Sequence, residues 1–343
     1  MPKVSVIICV YNQPLVKEAI ESVLAQSYPD YELIIIDDGS EDETQEVLSS
    51  YQAYARIFHQ PNQGIAQARN QGLVLAQGEY IAFLDADDLW LPDYLKEMVG
   101  FLEAHPDSLL AFSDGWMLNR RDIPSNLPEL PTYHSLFPAP AGTQAEKLFF
   151  QTPPITSLMV FKREFFARVG IFSSELKIHE DADLLLRALE LGIKPIFLNR
   201  ALGIKRNLPG GLSQNPVEYL YYSRLILKTS WERSKKLRKY IRQSLPLVNL
   251  YLAKAYFQNQ DKAQARKLLR EIIYFRPWSV RSWWLLVLLS LPEPLALPFI
   301  KNSFLASSEL FPKPAVKNHS RQGSSQKEQS KKSQSKLQSK ERD

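Results

Sequence analysis

Short apolar runs alternate with amphipathic stretches through the first half of the chain. Val4–Val10, Leu33–Ile36, Arg56–Phe58 and Tyr80–Leu84 have the length and side-chain type of strands, and the segments near Leu15–Gln26, Asp42–Tyr51, Ile65–Ala76 and Tyr94–Ala104 repeat apolar residues at helical spacing. This order predicts right-handed β-α-β units and an α/β fold, with a mainly parallel (mixed) sheet sandwiched by helices. A run as uniformly apolar as Val4-Ser5-Val6-Ile7-Ile8-Cys9-Val10 suits a strand covered on both faces. Ligands of such sheets bind beyond the carboxyl ends of the strands.

A further strand is expected at Leu109–Phe112. Asp122–Gly142 is proline-rich and aperiodic, and reads as an irregular loop or lid on the acceptor side. A strand at Ser157–Phe161, a helix at Lys162–Val169 and a helix opening near Asp181 follow. From Pro216 the pattern is helical. Asn249-x-x-Leu252-Ala253-x-x-Tyr256, Ala265-x-x-x-Leu269 and Pro277 follow tetratricopeptide spacing, which begins again at Trp283-x-x-Leu286 and breaks at Pro292 and Pro294. So short an array predicts docking on the rest of the chain or on a protein partner; an ordinary helical hairpin explains it equally well. The expected organisation is a first domain over 1–215, an all-helical extension over 216–311 and a disordered basic Ser/Gln/Lys tail over 312–343.

Charge divides the chain in the same way. Of the net +5, the segment from Pro312 contributes +6, and a second basic cluster runs from Arg224 to Arg242, with Glu232 its only acid. The first domain is therefore acidic, which argues against nucleic acid as its substrate. The basic part could contact an anionic membrane or serve solubility. Cys9, the single cysteine, sits in a core strand, so a reducing compartment is expected. The start of the sequence lacks signal-peptide form, and the longest apolar run, Trp283–Leu291, is well under the roughly 20 residues of a membrane span. The expected location is cytoplasmic, with peripheral attachment to the inner face of the plasma membrane as an extension.

The candidate chemistry gathers at strand ends. Asp85-Ala86-Asp87 closes the run Tyr80–Leu84, and alternate residues of an extended segment point the same way, so two carboxylates can face one crevice. A solvated acidic turn would also account for the pair. As a functional pair they suit Mn²⁺ or Mg²⁺, hard cations shared between carboxylates and a substrate diphosphate. Asp37-Asp38-Gly39-Ser40 follows Leu33–Ile36; Ser40 and Glu43 have capping-box form, which leaves Asp38 as a candidate acceptor from a nucleobase N–H. Tyr11 could lie against a base and Asn12 could hold its loop. Asn62–Asn70 opens a helix whose N–H groups favour phosphate, with Arg69 as a fixed positive charge or as an ordinary solvated arginine. His179-Glu180-Asp181-x-Asp183 puts three carboxylates at a helix N-terminus, where capping needs one. The surplus permits Asp181 as general base, with Glu180 positioning it or an acceptor hydroxyl, and Arg187 pairing structurally with Asp183.

Together, Ser5–Asn12, Asp37–Ser40, Asn62–Asn70, Gly78-Glu79-Tyr80 with Asp85–Asp88, and Glu180-Asp181 resemble the family 2 glycosyltransferases of GT-A fold, over roughly residues 1–215. The resemblance implies metal-dependent transfer of a sugar from a nucleoside diphosphate donor, UDP- or dTDP-type favoured, to a carbohydrate or lipid-linked acceptor with inversion, in surface polysaccharide, glycolipid or glycoprotein synthesis. It implies nucleoside contacts from Tyr11 and Asp38, nucleotide support from Arg69, ribose or metal contact from Asp85, metal binding by Asp87 and base catalysis by Asp181. Members often carry a histidine near the segment matching Lys205–Ser213, and this chain has none there; weaker metal binding is expected, with Gly210 and Gly211 as a closing loop.

Two other functions compete with this one. A nucleotide-sugar-binding scaffold without turnover, acting through the C-terminal helices, is opposed by intact Asp85, Asp87 and Asp181. A nucleotidyltransferase would want a Gly-rich basic loop after the first strand, and Val10-Tyr11-Asn12-Gln13-Pro14 is not one.

Overall fold

The computed structural model describes residues 1–136, 149–150, 153–208, 215–275, 283–284 and 286–287. All lie within one compact unit, Met1–Pro292. The expected tail from 312, the Gly210-Gly211 loop, and Pro277, Pro292 and Pro294 of the repeat reading fall outside the described residues.

Among the described residues eight strands form one sheet: β1 (Val4–Val10), β2 (Tyr31–Asp37), β3 (Arg56–His59), β4 (Tyr80–Asp85), β5 (Leu89–Trp90), β6 (Leu110–Leu118), β7 (Met159–Lys162) and β8 (Ile196–Arg206). Their spatial order is β3-β2-β1-β4-β7-β6-β8-β5. The pairs β1–β2, β1–β4, β2–β3 and β6–β8 are parallel, and β4–β7, β6–β7 and β5–β8 antiparallel. The mixed sheet is thus as expected. Val10 sits beside Asp37, Cys9 beside Asp85 and Asp37 beside His59, so the carboxyl ends of the parallel strands form one rim.

Alternation along β1 explains the two-sided core. Val4, Val6, Ile8 and Val10 face a cluster with Ala19, Ile20 and Val23 of α1 (Val16–Leu24) and Tyr94, Leu95 and Met98 of α4 (Tyr94–Glu103). Ile7 and Cys9 face the other cluster with Ala66 and Ala68 of α3 (Ile65–Leu75), Phe165 of α6 (Arg163–Val169) and Leu184–Leu186 of α7 (Glu180–Glu190). The short α2 (Thr44–Ser49) and α5 (Tyr133–Leu136) lie between strands.

The extension is α8 (Pro216–Arg233), α9 (Arg238–Gln258) and α10 (Lys262–Phe275). Asn215 caps α8 by accepting from Val217 and Glu218 N–H, and Pro216 fills a first-turn position that needs no donor. Of the residues of the repeat spacing, Asn249, Leu252, Ala253, Ala265 and Leu269 are buried where α9 meets α10, and Tyr256 is half-buried. Ile226, Leu227, Ile241 and Leu245 join the same core as Leu184–Leu186, so the extension is held to the sheet's helical layer by shared apolar burial. Among the described residues no helix is long and apolar enough to cross a membrane.

Three expectations differ from the structure. The Ser40/Glu43 capping box does not form: α2 starts at Thr44, whose N–H is taken by Asp42, and the Ser40 hydroxyl instead accepts from the Asn12 N–H. Ser157 and Leu158 belong to a 3-10 turn before β7 rather than to the strand. The apolar pattern predicts no strand at β5 or β8. β8 reads Ile-Phe-Leu-Asn-Arg-Ala-Leu-Gly-Ile-Lys-Arg, and exposed Asn199 and Arg200 split its apolar residues into two short stretches, Ile196–Leu198 and Ala201–Ile204, neither long enough to announce the strand.

Candidate active site

Asp85, at the end of β4, is gripped from two sides. Arg69 Nη2 lies 2.6 Å from its Oδ1 and Lys205 Nζ 3.0 Å from its Oδ2. Burial opposes its ionisation, yet Lys205 and Arg69 together hold the carboxyl well below the usual range. Arg69 is itself buried, at 4% exposure, with its other arm on Glu180. It is therefore not the solvated arginine of α3; it bridges the strand-end acids and the first turn of α7. Burial works against the guanidinium's charge, and Asp85 and Glu180 outweigh it. Glu180 is 6% exposed, and burial pushes its carboxyl up to about 7 against the pull of Arg69.

Asp88 is fully buried and accepts from Ser157 Oγ at 2.5 Å and Arg206 N–H at 2.9 Å, with Lys205 Nζ at 3.2 Å. Burial pushes it up to about 7 against that lysine. Asp85 keeps the charge of the pair because it has Arg69 as well. Burial also raises Asp87 against the pull of Lys205, and the charge on Asp85 adds to the rise. Among the described residues no basic side chain pairs with Asp87 within the 4 Å of an ion pair.

Asp181 follows Glu180 on α7. Its Oδ2 accepts from Thr156 Oγ1 at 2.6 Å and its Oδ1 from the Ala182 N–H at 2.7 Å. The neighbouring Ser157 hydroxyl donates to Asp88 and accepts from Asp85 N–H, so one 3-10 turn, Thr156–Leu158, holds both the strand-end acids and Asp181. His179, in the left-handed conformation (φ 67°), begins α7. Its Nε2 lies 2.7 Å from Ser223 Oγ of α8, and its ring meets the Tyr219 ring edge-on, so the extension braces the first turn of α7.

On the β1–β2 side, Tyr11 is exposed and Asn12 holds its loop by accepting from Glu41 N–H at 2.8 Å. Asp38 is buried; Gln60 Nε2 donates to its Oδ1 at 2.7 Å, and the N–H groups of Gln63 and Gly64 donate at 2.9 and 2.8 Å. It thus fixes the turn into α3. Gly39 permits that turn: its φ is +82°, and a Cβ would lie 2.8 Å from Asn62 N. Arg187 pairs with Asp183 at 2.8 Å, as the helical spacing predicted.

Sequence reasoning missed Thr156, Ser157, Lys205 and Arg206. Lys205 and Arg206 reach their acids from β8, and Thr156 and Ser157 from the 3-10 turn before β7, so long-range packing brings them together and no spacing rule along the chain connects them. Among the described residues no three acids, histidines or cysteines converge on a metal. The two carboxylates Asp85 and Asp87 nevertheless match the one or two by which Mg²⁺ or Mn²⁺ is held when substrate phosphates complete its shell, and Asp87 has no competing basic partner among the described residues.

Residues 5–167 match the family model described as Glycosyl transferase family 2. An uncharacterized glycosyltransferase of Bacillus subtilis, EpsJ, is 29% identical over 223 residues, covering 63% of this chain and 64% of that protein. The chain therefore spans less than two thirds of that relative. Among solved structures, Staphylococcus aureus TarS 1–349 in complex with UDP-GlcNAc superposes with a TM-score of 0.60 at 19% identity, covering 89% of this chain and 92% of that one. The mannosyltransferase PcManGT of Pyrobaculum calidifontis, in complex with GDP-Man and Mn²⁺, gives 0.56 at 21%, covering 89% and 86%. These structural likenesses are likenesses of fold.

Proposed function

We propose, from the premise that this chain belongs to the family 2 glycosyltransferases through residues 5–167, that it transfers a sugar from a nucleoside diphosphate to an acceptor hydroxyl with inversion. The observation that carries the reading is the two-armed Arg69 bridge. It ties Glu180, the neighbour of Asp181, to Asp85 at the strand-end rim, so a base and a diphosphate-facing acid share one crevice.

Asp181 is the general base. Thr156 orients its carboxylate toward the acceptor proton, and the acceptor oxygen then displaces the diphosphate in one step, for which one base suffices. Glu180 is buried against Arg69 and acts as a positioning residue for α7. Tyr11 and Asp38 line the nucleoside side; Asp38 also sets the turn whose N–H groups lead into α3. Asp87, with Asp85, would hold Mn²⁺ or Mg²⁺, which when bound would neutralise charge on the departing diphosphate.

Donors of UDP type, with dTDP as the related alternative, and a carbohydrate or lipid-linked acceptor in surface polysaccharide or related glycan synthesis complete the proposal. The solved neighbours bearing UDP-GlcNAc and GDP-Man support a nucleotide-sugar donor as a class. The catalytic portion is assigned to 1–215 and the extension to 216–311. We place the protein in the cytoplasm, with contact to an anionic membrane through Lys228, Lys235 and Arg242. Within the basic stretch, Arg224 is committed to Glu271, Arg233 to Glu190 and Asp183, and Arg238 to the Trp231 carbonyl.

The test is Asp181→Asn. UDP-dependent thermal stabilisation should persist while release of UDP from UDP-sugars with Mn²⁺ and an acceptor extract falls by about 10²–10⁴. Unchanged turnover would remove Asp181 from the mechanism.

A further inference from the structure

Lys205 is the least expected member of the site. Its ammonium lies 3.0 Å from Asp85 Oδ2 and 3.2 Å from Asp88 Oδ2, among acids that a dication would otherwise be free to approach. Its backbone is held in place: Lys205 pairs with Met117 of β6, the preceding Ile204 with Leu89 of β5, and the following Arg206 N–H with Asp88. The side chain is 24% exposed, so it also fronts open space rather than sealed core.

The allocation of carboxylate lone pairs gives its consequence. Asp85 has one oxygen on Arg69 and the other on Lys205, and Asp88 is taken by Ser157, Arg206 N–H and Lys205. Asp87 is the acid of the three without a basic partner among the described residues. A dication placed there gains little from Asp85 while the ammonium stays, because two cations would share one carboxylate at close range.

We propose that Lys205 is a positioning residue, the resident counter-ion of the Asp85/Asp88 pair, and that it competes with the divalent cation for Asp85 so that the nucleotide-free site holds metal weakly. This rests on the reading of Asp85 and Asp87 as metal ligands. Lys205 keeps the acids in register before the donor arrives, and metal then joins mainly with the donor's diphosphate, whose oxygens supply what Asp85 withholds.

The test titrates Mn²⁺ into the full chain without nucleotide, reading bound ion from loss of the free-ion electron paramagnetic resonance signal. Lys205→Met should bind Mn²⁺ about tenfold tighter than the wild type, and Lys205→Arg, which keeps the charge, should not. A lysine that only braced the fold would lower the melting temperature on substitution and leave Mn²⁺ affinity unchanged or weaker, which would overturn the proposal. Should Lys205→Met fail to fold, the wild type gives a second reading: saturating Mn²⁺ should speed acetylation of Lys205 by an activated acetyl ester, measured on its peptide by mass spectrometry. An unaltered rate would equally overturn it. Adding Asp87→Asn separates the two levels of the reading. Mn²⁺ binding that depends on Asp87 but is equal in the wild type and in Lys205→Met leaves the metal site standing and removes the lysine's role; no binding in any variant, even with UDP, removes both.

Discussion

Replacing Arg69 by Met tests whether the bridge between β4 and α7 holds the site together. The substitution keeps the apolar stem and removes the guanidinium from two acids, one of them Glu180, buried at 6% exposure. Deleting one partner of a buried ion pair costs about 3–5 kcal/mol, because the other charge is left without compensation. Asp85 retains Lys205, so the loss falls mainly on Glu180. Its carboxyl already titrates at about 7, so it is charged at pH 8 and largely protonated at pH 5.5. The cost should therefore be about 3–5 kcal/mol at pH 8 and at most about 1.4 kcal/mol smaller at pH 5.5, the most that one carboxyl titrating at about 7 can contribute over that range. At roughly 2–3 °C per kcal/mol for a unit of this size, the melting temperature should drop by about 6–15 °C at pH 8. Thermal and urea melts of the wild type, Arg69→Met, Glu180→Gln and the double variant close a cycle, with an expected coupling of about 2 kcal/mol at pH 8. If Arg69→Met costs the same in the wild-type and Glu180→Gln backgrounds at both pH values, to within about 0.5 kcal/mol, the bridge is not what holds α7 to the sheet.

Other outcomes follow from single features. Because the folded Glu180 carboxyl titrates at about 7 against an ordinary 4.5, the folded state retains a proton that the unfolded chain loses between those values. Wild-type stability should thus fall by about 3 kcal/mol relative to Glu180→Gln as pH rises from 4.5 to 7, and level off above; a difference that is flat with pH would refute the assignment. Gly100, exposed on α4 with nothing within 4 Å of an added Cβ, should gain about 0.5–1 kcal/mol as Ala by urea melt. Gly78→Ala should instead cost about 1–3 kcal/mol or more, since its Cβ would lie 2.5 Å from Ser5 N and 2.7 Å from Val4 C, backbone atoms of a central strand; a neutral result would mean β1 can shift.

The sheet's first half was legible because its strands obey a local rule. Val4–Val10 and Tyr80–Asp85 are buried on both faces and so read as apolar runs, while Ile65–Leu75 and Tyr94–Glu103 keep helical spacing. The acids at the strand ends were legible for the same reason: position along a strand tells which end a residue reaches. β8 obeyed no such rule. Its apolar residues are spread among Asn199, Arg200 and Lys205, and what makes it a strand is its pairing with β6 and β5.

What the chain's order alone determined is thus the α/β alternation and the identity of the acids that crown the parallel strands. Only the tertiary structure decided which cations answer them. Arg69 reaches Glu180 across 111 positions and Lys205 reaches Asp85 across 120, and neither separation contains a period or spacing that could announce the meeting. Burial then completes what proximity begins: desolvation raises Glu180 and Asp88 while two cations keep Asp85 ionised, so the charge of each acid is set by neighbours that the fold, not the local sequence, brings to its side.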